Sequence, residues 1–318
     1  MDRNTAYETV LEEQRNLLES RKRRYEKSLE EKLSGIQEYK DIKYKISKVA
    51  SELYATVFSD DIKHIEYLKN EFSKLNEAKK AMEKAAVPEP FKYDCNVCND
   101  TGYVNGKLCG CVRNKANNLI LKDISANVPL NECTFENFDL NFYEETVKNG
   151  TSPRKRMTAI FKMLQEYAIK FNPRESENIL LTGGTGLGKT HLSLAVFKEL
   201  VLKEYDVMYF SSFNLFSKIE NEHFNLHTNF TYENVLNCDL LIIDDLGSEF
   251  ASPYCQSVFY NIVNTRILSG KPTIINTNLT MSEIESKYSA RVSSRLIGHY
   301  NANVFLGADI RQKKVLLK

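Results

Sequence analysis

Two hydrophobic rhythms divide the chain. Residues 1 to 86 set Val10, Leu17, Leu18, Tyr25, Leu29, Leu33 and Ile36 at helical intervals in a background of Glu, Lys and Arg, with one glycine and no proline. That spacing lays an apolar stripe along two or three amphipathic helices. The stretch LSGIQEYK breaks the first of them, and SDDIKH starts a later one with Ser59 or Asp60 as its N-cap. The heptad is not sustained, so a small helical hairpin or bundle is expected rather than a long coiled coil. Its stripe either packs within its own module or grips a partner.

From about residue 127 the rhythm changes. Short apolar runs, NILLT, DVMYFSS, DLLIIDD, PTIINTN and NVFLGA, alternate with helical or loop material. They predict an α/β fold with a five-stranded parallel sheet and helices on both faces. Ligands of such sheets sit at the carboxyl ends of the strands. Between the rhythms, the prolines of AAVPEPFKYD mark a boundary. The expected division is a helical partner-binding region at 1–86, a small metal module with a linker helix at 87–126, and a nucleotide-binding domain at 127–318.

The first strand runs straight into GGTGLGKT, residues 183 to 190, and then into the helical pattern HLSLAVFKEL. Gly183, Gly184, Gly186 and Gly188 let successive N–H groups point into one concavity, which binds an anion. With Thr185 and Leu187 they complete the G-x-x-x-x-G-K-[ST] pattern between a strand and a helix. Lys189 is then placed for the β- and γ-phosphates and Thr190 for a magnesium ion. The helix N-terminus adds its own partial positive charge.

Downstream, the apolar run Leu240 to Ile243 delivers Asp244 and Asp245 to the strand end beside that loop. Asp244 is expected to hold magnesium, through water, together with Thr190. Asp245 points elsewhere on the strand end and is a candidate general base for an attacking water. Asn278, or alternatively Asn276, ends the next strand as a hydrogen-bond donor to the γ-phosphate or the water. Arg291 and Arg295 share one face of a helix, either as a solvated surface or reaching a neighbouring subunit's phosphate. Arg311 follows the last strand as a possible cis contact to the nucleotide.

Seven cysteines, four of them in CNVCNDTGYVNGKLCGC, suit a reduced compartment with a metal site better than disulfides. Cys95, Cys98, Cys109 and Cys111 match a tetrahedral structural zinc site on a short hairpin, with Asn99, Asp100, Gly102, Asn105 and Gly106 as its turn residues. Cys133, Cys238 and Cys255 read as buried packing residues. A net charge of +1 over 318 residues gives no global field for nucleic acid, so any DNA contact must be local. The aromatics of residues 209 to 235 read mainly as helical packing and secondarily as a DNA contact, and the basic SPRKRM at 152–157 is either a more basic candidate contact or a solvated face. No apolar run approaches the length of a membrane span, and a cytoplasmic protein is expected.

The set GGTGLGKT, LLIIDDLGSE, TIINTNL, RVSSRL and DIR, in that order over residues 127 to 318, resembles the AAA+ ATPases of the initiator clade. Within them it resembles the DnaC/DnaI-type replicative helicase loaders and their IstB-like transposition relatives. CTFENFDL is similar to the family's segment beside the adenine. The resemblance implies ATP as ligand, Asp244 as metal ligand and Asp245 as the residue activating water. It also implies Asn278 as sensor, Arg295 as trans finger and Arg311 as second sensor. Asp245 replaces the glutamate usual in the superfamily, one methylene shorter, which implies slow, partner-stimulated hydrolysis. Little chain follows the last strand, so the usual helical lid domain is expected to be missing and oligomerisation is expected on the helicase partner. The helical and cysteine modules favour a loader acting on single-stranded DNA. The alternatives are a transposition helper, a nucleotide-binding scaffold with negligible hydrolysis, and a zinc chaperone suggested by the likeness of CNDTGYVNG to the DnaJ zinc repeat.

Overall fold

The computed structural model describes residues 1–56, 62–86, 90–125, 128–146, 150–226, 229–250 and 252–316. It separates into two compact units, one of residues 11–109 and one that joins residues 1–10 to 110–318. Helix α1 (Arg3–Leu33) stops at Ser34 and Gly35, within the stretch expected to break it, and α2 (Gln37–Thr56) and α3 (Ile62–Ala86) follow. The proposed N-caps Ser59 and Asp60 lie outside the described residues.

In the smaller unit α2 and α3 pack on each other. The Tyr39 hydroxyl near the start of α2 donates to Glu83 near the end of α3 at 3.0 Å, so the pair runs antiparallel. Only part of the expected apolar stripe is covered. Leu33 is buried, whereas Leu17 and Ile36 are 46% and 39% exposed. Arg21 of α1 pairs with Asp94 at 2.8 Å and lies over the Phe91 ring. Strands β1 (Tyr103–Val104) and β2 (Lys107–Leu108) form the expected hairpin. Asn105 and Gly106 both take positive φ, 51° and 76°, as a two-residue loop of matching twist requires.

The larger unit continues with α4 (Gly110–Ser125), α5 (Pro153–Lys170), β3 (Asn178–Thr182), α6 (Lys189–Leu202), β4 (Val207–Ser211), α7 (Ser212–Asn221) and α8 (Phe230–Asn237). Then come β5 (Leu240–Leu246), α9 (Pro253–Leu268), β6 (Thr273–Thr277), α10 (Met281–Lys287), α11 (Ala290–His299), β7 (Tyr300–Val304) and α12 (Ile310–Leu316). The sheet order is β4-β5-β6-β3-β7, and every pairing is parallel. The last strand begins three residues before the apolar run NVFLGA, because Tyr300 to Ala302 complete the ladder with β3 while Phe305 turns inward at its end.

Alternation along β5 sorts the core into two layers. Leu241 and Ile243 join Phe216 of α7, Phe259 and Ile262 of α9, and Val292 and Leu296 of α11. Leu240 and Ile242 therefore face the other side, where α6 packs on β4, β5 and β6 with α4 and α5 against it. The run SPRKRM is the start of α5: Ser152 caps it, and Arg154 donates to the carbonyls of Tyr143 and Asn141. That arginine serves the adjoining loop rather than a free basic surface.

Two buried arginines had no signature in the sequence pattern. Arg3 donates to the carbonyls of Val201, in the last turn of α6, and Tyr205, just past it, and to Asn117 of α4. Arg266 of α9 is fully buried and donates to the carbonyls of Val235, Cys238 and Pro272 and to the Thr273 hydroxyl. It thereby satisfies the end of α8 and the start of β6 at once. Burial also pushes the Cys238 thiol beside it up to about 11. Replacing Arg266 by Leu leaves those carbonyls without donors, so urea unfolding should show a loss of about 3 kcal/mol or more.

Candidate functional site

Six residues lead from the end of β3 at Thr182 to Lys189, where α6 begins. The turn needs left-handed backbone at Gly186 (φ 70°) and Gly188 (φ 91°). A Cβ on Gly186 would fall 1.9 Å from the Asp309 carboxylate, and one on Gly188 would fall 2.8 Å from the Phe138 ring. Gly184 differs from expectation. Its φ is not positive, and a Cβ there would meet only Leu187 at an ordinary 3.8 Å. Gly188 caps α6 without a side-chain hydrogen bond, so the N–H groups of the first turn face the loop's concavity.

Lys189 is buried at the floor of this turn. Its ammonium donates to the carbonyls of Gly183 and Gly184 at 2.7 Å each and to Asn278 Oδ1 at 2.6 Å. Burial pulls its pKa below the ordinary lysine value, Asp244 and Asp245 oppose that shift, and Arg311 reinforces it. Neutral carbonyls are weak partners for a buried cation. Phosphate oxygens are stronger ones, which makes this ammonium a ready anion contact.

The two acids owe their placement to an irregularity in β5. Ile243 pairs with Ile275 and Leu246 with Thr277, so β5 spends one residue more than β6 over the same span. That is a β-bulge, and Asp245 sits in it with φ 54°. Consecutive residues of a regular strand face opposite ways; here Asp244 and Asp245 line one cavity. Asp244 is 7% exposed and accepts three hydrogen bonds: Thr190 Oγ1 at 3.1 Å, Asn276 Nδ2 at 2.6 Å and the Tyr209 hydroxyl at 2.6 Å. Asp245 is exposed to the cavity and accepts from Asn278 Nδ2 at 3.4 Å. Lys189, Asn278 and Asp245 thus form one connected line.

The cavity measures about 620 Å³, room for a nucleotide. It runs from the loop and both acids past Arg311 to a wall that includes Pro129, Phe138 and His191. The Tyr143 hydroxyl fastens that wall to the loop through the Leu187 carbonyl at 2.8 Å. Cys133, read from the sequence as a packing residue, is buried but lines the cavity. Arg295 is not among the lining residues. It donates to Asn264 at 2.6 Å and lies 5.1 Å over the Tyr260 ring, on the outer side of α9.

The sulfurs of Cys95, Cys98, Cys109 and Cys111 lie within 4.8 Å of one another and could hold a metal ion. Cys95 and Cys109 are 3.8 Å apart at sulfur. Tetrahedral zinc with bonds of about 2.3 Å spaces its thiolates by about 3.8 Å, so the set fits. Asp100, with φ 58°, holds the turn by accepting from the N–H groups of Asp94 and Cys95.

The family model of the IstB-like ATP binding proteins matches residues 128–297, more than half of the chain. The chain belongs to the IstB-like ATP-binding family. The matched span holds the whole loop, both acids, Asn278 and Arg295, and stops before Arg311. The replicative helicase loader DnaC of Escherichia coli K12 is 29% identical over 173 residues, 53% of this chain and 64% of that protein. The chromosomal replication initiator protein DnaA of Thermosipho melanesiensis is 28% identical over 210 residues, 58% of this chain and 47% of that protein. The chain thus spans less than two thirds of the length of these curated relatives. The crystal structure of the DnaC helicase loader is 23% identical, covering 54% of this chain and 98% of that one at a TM-score of 0.45. No described helix is long and apolar enough to cross a membrane.

Sequence reasoning missed Tyr209 and Ser193, and it placed Asn276 differently. Asn276 is fully buried and donates to Asp244 and to the Ser193 hydroxyl, so it supports an acid rather than facing a ligand. The one available signal for Tyr209 was a tyrosine in the interior of an otherwise apolar strand, whose hydroxyl needs a buried acceptor. Tyr209→Phe should weaken magnesium-dependent ATP binding about tenfold in calorimetry while leaving metal-free binding unchanged.

Proposed function

We propose that this chain is an ATP-hydrolysing replication protein that loads the replicative helicase onto single-stranded DNA. The observation that carries the reading is the bulge that turns Asp244 and Asp245 into the cavity holding Lys189 and the glycine loop. Lys189 exchanges its carbonyl partners for the β- and γ-phosphates of ATP, with the loop N–H groups around them. Thr190 Oγ1 and Asp244 Oδ1, 3.1 Å apart, are hard oxygen ligands of the kind magnesium takes, and they would hold that ion. When bound, magnesium neutralises charge on the phosphates.

Asp245 accepts the proton of a water aimed at the γ-phosphorus, and Asn278, already hydrogen-bonded to both Lys189 and Asp245, orients that water. Arg311 approaches the same phosphates from this chain. Arg295, which lies outside this chain's own cavity, reaches the nucleotide of a neighbouring copy lined up on the helicase. The short reach of Asp245 and this trans arginine make hydrolysis slow alone and faster in the assembly.

The smaller unit is the helicase-binding part, and Cys95, Cys98, Cys109 and Cys111 hold a structural zinc. Tyr44, Tyr54 and Tyr67 are 71%, 81% and 61% exposed there, an unusual density of bare aromatics for a solvated helical surface. The domain roles follow: the unit of residues 11–109 docks, and the larger unit binds ATP and DNA. Acting on a helicase and DNA, the protein would work in the cytoplasm. The family name keeps a transposition helper as the second reading. Mixing the protein with the host's replicative helicase, with and without ATP, discriminates them. A complex in which hydrogen exchange slows across residues 11–109 is expected; no complex in either condition overturns the loader reading in favour of the transposition helper.

A further inference from the structure

The loop after β5 contains an acid, Glu249, with no part in the proposed hydrolysis. Glu249 is 5% exposed, yet it lines no part of the nucleotide cavity. Its carboxylate accepts the Gly247 N–H at 3.1 Å and the Tyr288 hydroxyl, and pairs with the Lys287 ammonium at 3.5 Å. Lys287 also donates to the carbonyls of Gly247 and Glu249. Burial alone would raise the Glu249 pKa, but hydrogen bonds from Ser212, Tyr288 and the Gly247 backbone outweigh it and hold the group below the usual value. It is a charged, satisfied carboxylate in the interior, an arrangement costly to build.

What this cluster joins gives it a role. On one side is the turn that presents Asp245. The Asp245 carbonyl accepts from the Ser212 hydroxyl at 2.9 Å and from the Ser248 N–H at 3.1 Å. Gly247, with φ 112°, follows in a conformation that Glu249 and Lys287 grip from its N–H and its carbonyl. A non-glycine residue held at positive φ, as Asp245 is, persists only where its surroundings impose it. On the other side are Lys287 and Tyr288, which end α10 and lead through Ser289, the N-cap of α11, to Arg291 and Arg295.

We propose that Glu249 is a positioning residue for hydrolysis, clamping the strained turn that aims Asp245 to the hinge from which the arginine-bearing helix α11 departs. This rests on the reading of Asp245 as the residue that activates water. Through the clamp, a force on α11 from a neighbouring copy is felt at the Asp245 turn, so engagement of the arginines and aiming of the base are one motion. The glycine loop and Lys189 lie outside the clamp, so nucleotide affinity is not part of its work.

The test measures ATP affinity by calorimetry and single-turnover hydrolysis for the full chain with its helicase partner and single-stranded DNA. Glu249→Ala should lower the hydrolysis rate about tenfold while changing the ATP dissociation constant by less than about twofold. Glu249→Gln, which keeps one acceptor, should retain an intermediate rate and, with Tyr288→Phe, covers the case in which Glu249→Ala fails to fold. The double variant Asp245→Asn/Glu249→Ala should be no slower than Asp245→Asn alone, because both changes act on one group. If the two losses multiply, or if affinity falls in step with rate, Glu249 does not act through Asp245 and the inference is wrong. A full-rate Asp245→Asn overturns the reading of Asp245 and this inference with it. A slow Asp245→Asn beside a full-rate Glu249→Ala overturns the inference alone.

Discussion

The chain must leave β3, reverse within six residues and begin α6 with its first N–H groups facing inward, and everything at the site depends on that turn. The left-handed backbone at Gly186 and Gly188 makes it possible, and the neighbours close against it: the Asp309 carboxylate on one glycine, the Phe138 ring on the other. The concavity that results faces the uncapped N-terminus of α6. Lys189 is drawn into it, and the carboxylates of β5 stand opposite. An arrangement of this sort is stable without ligand only because each charge has a temporary partner: carbonyls and Asn278 for the lysine; Thr190, Asn276 and Tyr209 for Asp244.

The strand pattern was legible because burial on both sheet faces makes the strands nearly uniform apolar runs, and β5 is the plainest of them. The glycine loop was legible because a backbone cradle dictates residue type and spacing together. Other features were not. A bulge at Asp244 and Asp245 is a mismatch in register with β6, a property of two strands that neither sequence run contains. Tyr209 and Asn276 reach Asp244 from two further strands, so their roles exist only once the sheet order is known. Arg266 was invisible for the same reason: a basic residue near the end of a helix usually faces water, and only the packing of α8 and β6 around it makes it interior. At the other end of the chain the apolar stripe overstated burial, since Leu17 and Ile36 are largely open.

Within the larger unit, the loop after β3, the start of α6, the two acids of β5 and Asn278 just past β6 line one end of the cavity, while the wall of Pro129, Phe138 and His191 closes the far end. Arg295 of α11 stays outside that cavity, against Asn264 and Tyr260 of α9. The cysteine segment is a different kind of solution, short and with little apolar core, whose four sulfurs lie within 4.8 Å of one another.

The account stands on ATP occupying the cradle with Lys189 beneath it. Titration calorimetry of the intact protein with ATP and magnesium, beside a folded Lys189→Ala variant, measures this directly. One mole of ATP bound per chain, lost in the variant, is the predicted result. Binding of equal strength in both proteins, or no uptake by the parent, would contradict it.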